Sequence, residues 1–460
     1  MKKKILLLSD DLRMHSGIAT VSKDIVMETI HHYDWVQMAG AIKHPEEGKI
    51  FDMSPSIQKE FGVKDAYLKI YPVSGYGNED LLREVLDIEK PDAILHYTDP
   101  RFWIWLYNME AEIRRNTPIF YYNIWDDLPD PQYNTNYYKS SDLLMAISKQ
   151  TYGINKRLLP EYEDWQITYV PHGISSRRFK KINDDETTLI NFEDELKISE
   201  KKFRILYSNR NIRRKLPGDV VMAYKYFMEG LTPEQREECV LIFHCAPVDE
   251  NGTDIPRVCR HLIPDYDVKF TYSWNNRPFN DAEMNLLFNS ADVYINLASN
   301  EGFGLGSAEA LTVGTPIIVN VTGGLQDQVG FKLNGKYVTH EQYTEIQSFH
   351  DDRKWKDNPD LTWGDWVKPV WPATRSLQGS VPTPYIFDDR CRFDDAADMI
   401  KEWYDMGKDK REKCGQKGRE FVLSDNSMMT SKHMCQNFTD HMNTAFDNWK
   451  PRKRYSIFKA

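Results

Sequence analysis

The 460-residue chain reads as an α/β protein built from two doubly wound, Rossmann-like halves. Three stretches predict this. Residues 3–9 form an apolar strand that passes through the polar loop 10–16 into a helix opening at Gly17, the unit that starts a doubly wound sheet. A second opening of the same kind lies at 203–209, after the polar, acidic stretch 181–202. The third is the run Val293-Tyr294-Ile295-Asn296-Leu297, followed by Ser299-Asn300-Glu301-Gly302-Phe303-Gly304-Leu305-Gly306 and a helix over 307–313 that Gly314 and Pro316 stop. Strand, glycine-rich turn and helix start come in that order. They aim backbone N–H groups and the positive end of a helix dipole at one spot, where a phosphate can be held. Glu301 and Glu309 bracket that spot, and paired carboxylates suit the hydroxyls of a sugar or ribose.

Bulk composition narrows the classes. With 59 Lys+Arg against 69 Asp+Glu the net charge is −10, which argues against a generic polyanion binder. The six cysteines contain no CxxC pair, so a zinc site is not expected and a reducing compartment fits. Met1-Lys2-Lys3-Lys4 followed by an apolar run imitates a signal peptide, but Ser9-Asp10-Asp11 ends the run early and it reads as a strand. No stretch approaches the ~18 apolar residues of a spanning helix. The expectation is an intracellular, cytoplasmic protein, in a host's cytoplasm if the source is viral.

Along the first half, the strand 92–97 ends near His96, and the strand 118–123 ends in Asn123 and runs into Ile124-Trp125-Asp126-Asp127. Functional side chains of open α/β sheets lie just past the carboxyl ends of strands. His96, Asn123, Trp125 and Asp126 are candidates on that ground, and a purely structural histidine is the alternative for His96. The dinucleotide fingerprint G-x-G-x-x-G is missing after the first strand, which argues against a nicotinamide enzyme. Gly17 opens the first helix, where a glycine can serve the turn alone.

In the second half, the strand 203–209 ends at Asn209 and leads into Arg210-Asn211-Ile212-Arg213-Arg214-Lys215. Arginine gives planar bidentate contacts to phosphate and lysine a mobile point charge. Three arginines and a lysine directly after a strand make a strong anion site, of which Arg213 and Arg214 are the weaker members, with facing water as their alternative. Asp265-Tyr266-Asp267 precedes a strand rather than following one, so it reads as a turn and not as a metal motif. Residues 331–389 are long, polar and rich in tryptophan (Trp355, Trp363, Trp366, Trp371), as expected of an added subdomain for acceptor binding or oligomer contact.

The pattern Glu301-Gly302-Phe303-Gly304-Leu305 with Glu309 eight positions on, preceded by Ser290-Ala291-Asp292-Val293-Tyr294 and followed by Gly314-Thr315-Pro316-Ile317-Ile318-Val319, resembles the donor-site signature of family-4 retaining glycosyltransferases. The spacing from Arg210 to Lys215 is similar to that family's phosphate clamp. Thr168-Tyr169-Val170-Pro171-His172-Gly173, with Phe179 beyond, is similar to the motif that closes its first domain. The resemblance implies a GT-B fold with an acceptor-side domain at 1–182, a linker at 183–202, a nucleotide-sugar domain at 203–430 and a C-terminal segment at 431–460 that crosses back and ends in a basic tail. It implies that Arg210 and Lys215 neutralise the leaving diphosphate in place of a metal. Gly17 would let its loop approach the donor phosphate or the acceptor, and Asn209 and the backbone from Gly302 through Phe303 and Gly304 to Leu305 would line the donor. Glu301 would serve the sugar and its anomeric carbon, Glu309 the ribose, and Trp274 the loop over the base. Where the family often carries a histidine or His-Asp, this chain has Asn123 or Trp125-Asp126. The implied reaction moves a sugar from a nucleotide sugar to an acceptor hydroxyl with retention and without a cofactor. The acceptor stays open between a saccharide, a lipid head group or small molecule, and a hydroxymethylated base in DNA, the last suggested by Arg177-Arg178, Lys180-Lys181 and the tail 450–454. A nucleotide-sugar epimerase and a catalytically silent sugar-binding module are the alternatives from other classes.

Overall fold

The computed structural model describes residues 2–272, 279–346 and 356–452. The first sheet contains β1 (Lys3–Asp10), β2 (Tyr33–Gly40), β3 (Phe51–Asp52), β4 (Leu68–Pro72), β5 (Ala93–Tyr97), β6 (Ile119–Asn123), β7 (Leu143–Ala146) and β8 (Ile167–Tyr169). Their order is β3-β4-β2-β1-β5-β6-β7-β8, parallel throughout except for the short edge strand β3. Ile5, Leu6, Leu7 and Leu8 are all fully buried, on both faces of β1, because helices cover both sides of a doubly wound sheet.

The second sheet contains β9 (Phe203–Ser208), β10 (Cys239–His244), β11 (Val268–Phe270), β12 (Val293–Asn296) and β13 (Ile317–Asn320), with the strand Val367–Val370 beside β13. The order β11-β10-β9-β12-β13 reverses direction between β9 and β12, so Arg210 and Glu301 leave neighbouring strands at the sheet's switch point. The final helix, Ser431–Asn448, lies on the first lobe: Phe438 packs on Tyr122 with ring centres 4.7 Å apart, and Phe446 on Phe120 at 5.4 Å. This is the crossing helix that the resemblance implied.

Three sequence expectations are revised here. The polar stretch 183–202 carries the helix Thr187–Glu195, whose Leu189 and Phe192 are buried and whose neighbour Phe279 stacks edge-on with Phe192 at 5.8 Å. An apolar pair three residues apart was enough to anchor it. The region 331–389 is only partly an addition. Val367–Val370 is a strand of the main sheet, and Trp366 is core: it stacks on Phe421 at 4.7 Å and donates its indole N–H to Gln328 O at 3.0 Å. Trp363 is exposed and Trp371 half-buried, while Trp355 lies outside the described residues. Lastly, the basic tail is docked at Arg452, which reaches Glu110 at 2.7 Å and donates its backbone N–H to Arg114 O. Lys453 and Arg454 lie outside the described residues.

Candidate functional site

Two chain turns meet between the lobes. β12 leads into the turn 297–304, where Gly304 adopts φ +89° and caps the helix Leu305–Val313 without any side-chain cap bond. The first N–H groups of that helix are thereby left to an external partner. β9 leads into a short 3-10 turn, Arg213–Lys215, ended by Leu216 at φ +49°. That turn swings Lys215 inward.

Lys215 Nζ donates to Glu301 Oε1, and both side chains are buried. Arg214 Nη1 donates to Asn300 O at 2.9 Å and to Glu301 Oε2 at 3.3 Å, and lies 3.5 Å from Asp126 Oδ2 on the first lobe. Arg214, 38% exposed, therefore does more than face water: it ties the turn 297–304 to the loop after β6. Burial opposes ionisation of Glu301, but Lys215, Arg214 and its hydrogen bonds outweigh it and hold the carboxyl below its ordinary value. Burial lowers Lys215 to about 8, with Glu301 opposing that shift and Arg214 adding to it. Arg210 is the outer member of the expected clamp. Its side chain is 66% exposed and turned to Asp249 at 3.5 Å.

Glu309 is half-buried in the cleft, where the Arg178–Asp24 ion pair of the first lobe faces it. Burial raises its carboxyl to about 7, against the pull of Arg178. Asn209 donates to Tyr294 OH at 3.1 Å beside the same cleft. The lobes touch directly at the glycines. A Cβ on Gly17 would sit 3.3 Å from Leu305, and one on Gly302 would sit 2.8 Å from Ile147 and 3.0 Å from Ile124 O. Gly323 and Gly324 back the turn so closely that a Cβ there would strike the carbonyls of Glu301 and Gly302 at 2.2 and 2.1 Å. The Phe303 ring points away into the interior, against His172 at 5.2 Å, so only its backbone can serve a ligand.

Three candidates change role. His96 is fully buried, with Nδ1 2.6 Å from Tyr107 OH and Nε2 3.1 Å from Thr98 Oγ1; burial lowers it to about 3, so it is a neutral core group that reaches no cleft. Asn123 is equally buried: it donates to Asn155 Oδ1 at 2.8 Å and accepts from Trp125 N at 3.0 Å, holding the loop that follows. Trp125 donates its indole N–H to Asp127 O at 2.6 Å and is 7% exposed, so it shapes the loop rather than presenting a face. Trp274 lies outside the described residues. Sequence reasoning set Arg214 aside as a weaker, water-facing member of its basic run and did not single out Asp127 or the hairpin Thr374–Ser380/Thr383–Arg390. The signal for Arg214 was present in its basic run, but only the handedness of the 3-10 turn tells which cation points inward.

The lobes, their sheet orders and the crossing helix define the GT-B class. Solved structures agree over nearly the whole chain. HepE of Anabaena in complex with UDP and glucose superposes with a TM-score of 0.62 at 13% identity, covering 96% of this chain and 100% of that one. Sucrose-phosphate synthase of Thermosynechococcus elongatus gives 0.63 at 14% identity, covering 97% and 100%. The family model described as glycosyl transferases group 1 matches residues 277–350. Alpha-monoglucosyldiacylglycerol synthase of Acholeplasma laidlawii is 26% identical over 186 residues, 40% of this chain; the match spans 43% of that relative's length. At these identities the solved structures establish the GT-B fold of the chain.

Proposed function

We propose that the chain is a glycosyltransferase that moves a sugar from a nucleotide-sugar donor to an acceptor hydroxyl. The observation that carries this is Glu301 clamped by Lys215 and Arg214 beside the uncapped start of the helix Leu305–Val313. A diphosphate fits that helix start, with Lys215 beside it and Arg210 free to turn inward from Asp249. Charge that develops on the leaving diphosphate is stabilised by these cations and by backbone N–H groups. Glu301, kept ionised, accepts sugar hydroxyls and stabilises positive charge at the anomeric carbon. Glu309 accepts the ribose hydroxyls. As the bond from the anomeric carbon to the diphosphate oxygen breaks, the bond to the acceptor oxygen forms, and the hydroxyl proton leaves with the diphosphate.

UDP is the nucleotide of first choice, because HepE has been solved with UDP and with UDP-glucose. Retention follows the family-4 likeness, and the cluster of cations supports transfer without a metal. The six unpaired cysteines support a cytoplasmic, reducing workplace; among the described residues no helix is long and apolar enough to cross a membrane. The test is incubation with a panel of nucleotide sugars, with and without acceptors, in EDTA and in Mg2+. Acceptor-dependent diphosphate release that survives EDTA, and an anomeric configuration retained by NMR, is the expected result. Interconversion of the nucleotide sugar without transfer would mark an epimerase, and binding without turnover a silent module.

A further inference from the structure

Beside Glu301 the structure gathers more hydrogen-bond acceptors than donors. The hairpin Thr374–Ser380/Thr383–Arg390 leaves the second lobe and lies against the first: Phe387 N donates to Leu128 O at 2.6 Å, Tyr133 OH donates to Tyr385 O at 2.9 Å, and Arg101 reaches Thr383. Asp388 at its base is thus set between the loop of Asp126 and Asp127 and the turn of Ser299 and Asn300. Asp388 Oδ1 accepts from Ser299 Oγ at 3.3 Å and from Asn300 Nδ2 at 3.5 Å. The supply of donors ends there. Asp127 Oδ1 and Asn300 Oδ1 have no partner, although the two residues are only 6% and 2% exposed. The nearby cations are committed, Lys215 to Glu301 and Arg214 to Glu301 and Asp126. A buried acceptor left unsatisfied costs about 1–3 kcal/mol. The chemistry that relieves it is a ligand rich in hydroxyls and free of negative charge.

We propose that Asp127, Asn300 and Asp388 form an acceptor subsite beside Glu301 that takes the hydroxyls of an uncharged saccharide. The proposal rests on the glycosyl-transfer reading above and narrows its acceptor class. A nucleic acid or a phosphorylated sugar would bring negative charge to Asp126, Glu301 and Asp388, beside an Asp127 that burial and the neighbouring Asp126 keep protonated. It would find four arginines of the first lobe already engaged: Arg101 on Asp99, Arg13 on Asp11, Arg157 on Asp130 and Arg178 on Asp24. Neutralising phosphates requires cations that are available to them.

The full chain is given the nucleotide sugar that the donor panel selects and, in separate arms, methyl α-D-glucopyranoside, methyl α-D-mannopyranoside, glucose 6-phosphate and a duplex containing 5-hydroxymethylcytosine. A neutral glycoside is expected to exceed both anionic acceptors at least tenfold in kcat/KM. Preference for the phosphorylated sugar or the DNA, or failure of both glycosides, overturns the inference. Asp388→Asn replaces an acceptor oxygen with a donor and is expected to raise the glycoside KM about tenfold with a smaller change in kcat; an unchanged KM also overturns it. Titration with UDP, and with the nucleoside diphosphate of the selected donor, separates the two levels. If neither UDP nor the nucleoside diphosphate of the selected donor binds, the donor reading fails; if one binds and DNA is preferred, only the acceptor assignment fails.

Discussion

Glu301 and Lys215 are each costly to bury alone, and each makes the other tolerable. That coupling gives two predictions. Lys215 loses its charge near pH 8, so UDP affinity of the free protein is expected to fall as pH rises through 8. Lys215→Arg should keep its affinity to higher pH, because a guanidinium does not titrate there. A calorimetric profile that stays flat for the wild type from pH 7 to 9.5 would contradict the assignment. Glu309 behaves in the opposite sense. In the unfolded chain it ionises near its ordinary 4.5, but in the fold only at about 7. Folding takes up a proton between those values, so its stabilising contribution is complete below pH 4.5 and lost as pH rises through 7. Glu309→Gln should therefore gain in Tm relative to wild type from pH 4.5 to 7 and gain no more above it. At this scale the sequence was partly legible. Glu301, Lys215 and Glu309 stand out by spacing, whereas His96 misled because a strand-end histidine looks the same whether it faces a cleft or, as here, Tyr107 and Thr98.

At the scale of elements, the turn 297–304 is held by glycines behind it. Gly323 has φ +51°, and a Cβ there would lie 2.2 Å from Glu301 O and 3.2 Å from Asp126 O, both backbone atoms. Gly323→Ala is expected to cost roughly 1–3 kcal/mol from backbone strain alone. It should also move Glu301 away from Lys215, seen as a lowered denaturant midpoint together with weaker UDP binding. Wild-type stability in this variant would show that the backing is looser than described. The strand–turn–helix order was readable because Gly and Pro punctuate it. The hairpin was not, since its strands pair within a polar run and its partner on the first lobe, the loop 128–133, lies some 250 residues earlier: Tyr385 OH accepts from Gln132 N at 3.1 Å across a separation of 253.

For the whole molecule, the crossing helix joins the chain's two ends. Phe438 is fully buried against Tyr122, and Tyr33 OH donates to Asn443 Oδ1 at 3.1 Å. Phe438→Ala is expected to cost about 3–5 kcal/mol, as for other large-to-small core changes, and to lower the unfolding midpoint of the first lobe. The lobes are also tied where Lys149 N and Tyr169 OH donate to buried Asp327, both at 3.0 Å. Two lobes and a crossing helix were foreseeable from strand openings and family likeness. Their contact through Gly17, Gly302 and Asp327 was not, because nothing local in the sequence marks which small residue faces another lobe. The central claim is that Lys215 and Glu301 belong to a nucleotide-sugar donor site. Calorimetric titration with UDP tests it most directly: wild type is expected to bind, and Lys215→Ala at least tenfold more weakly. A variant that binds UDP as tightly as wild type would contradict the claim.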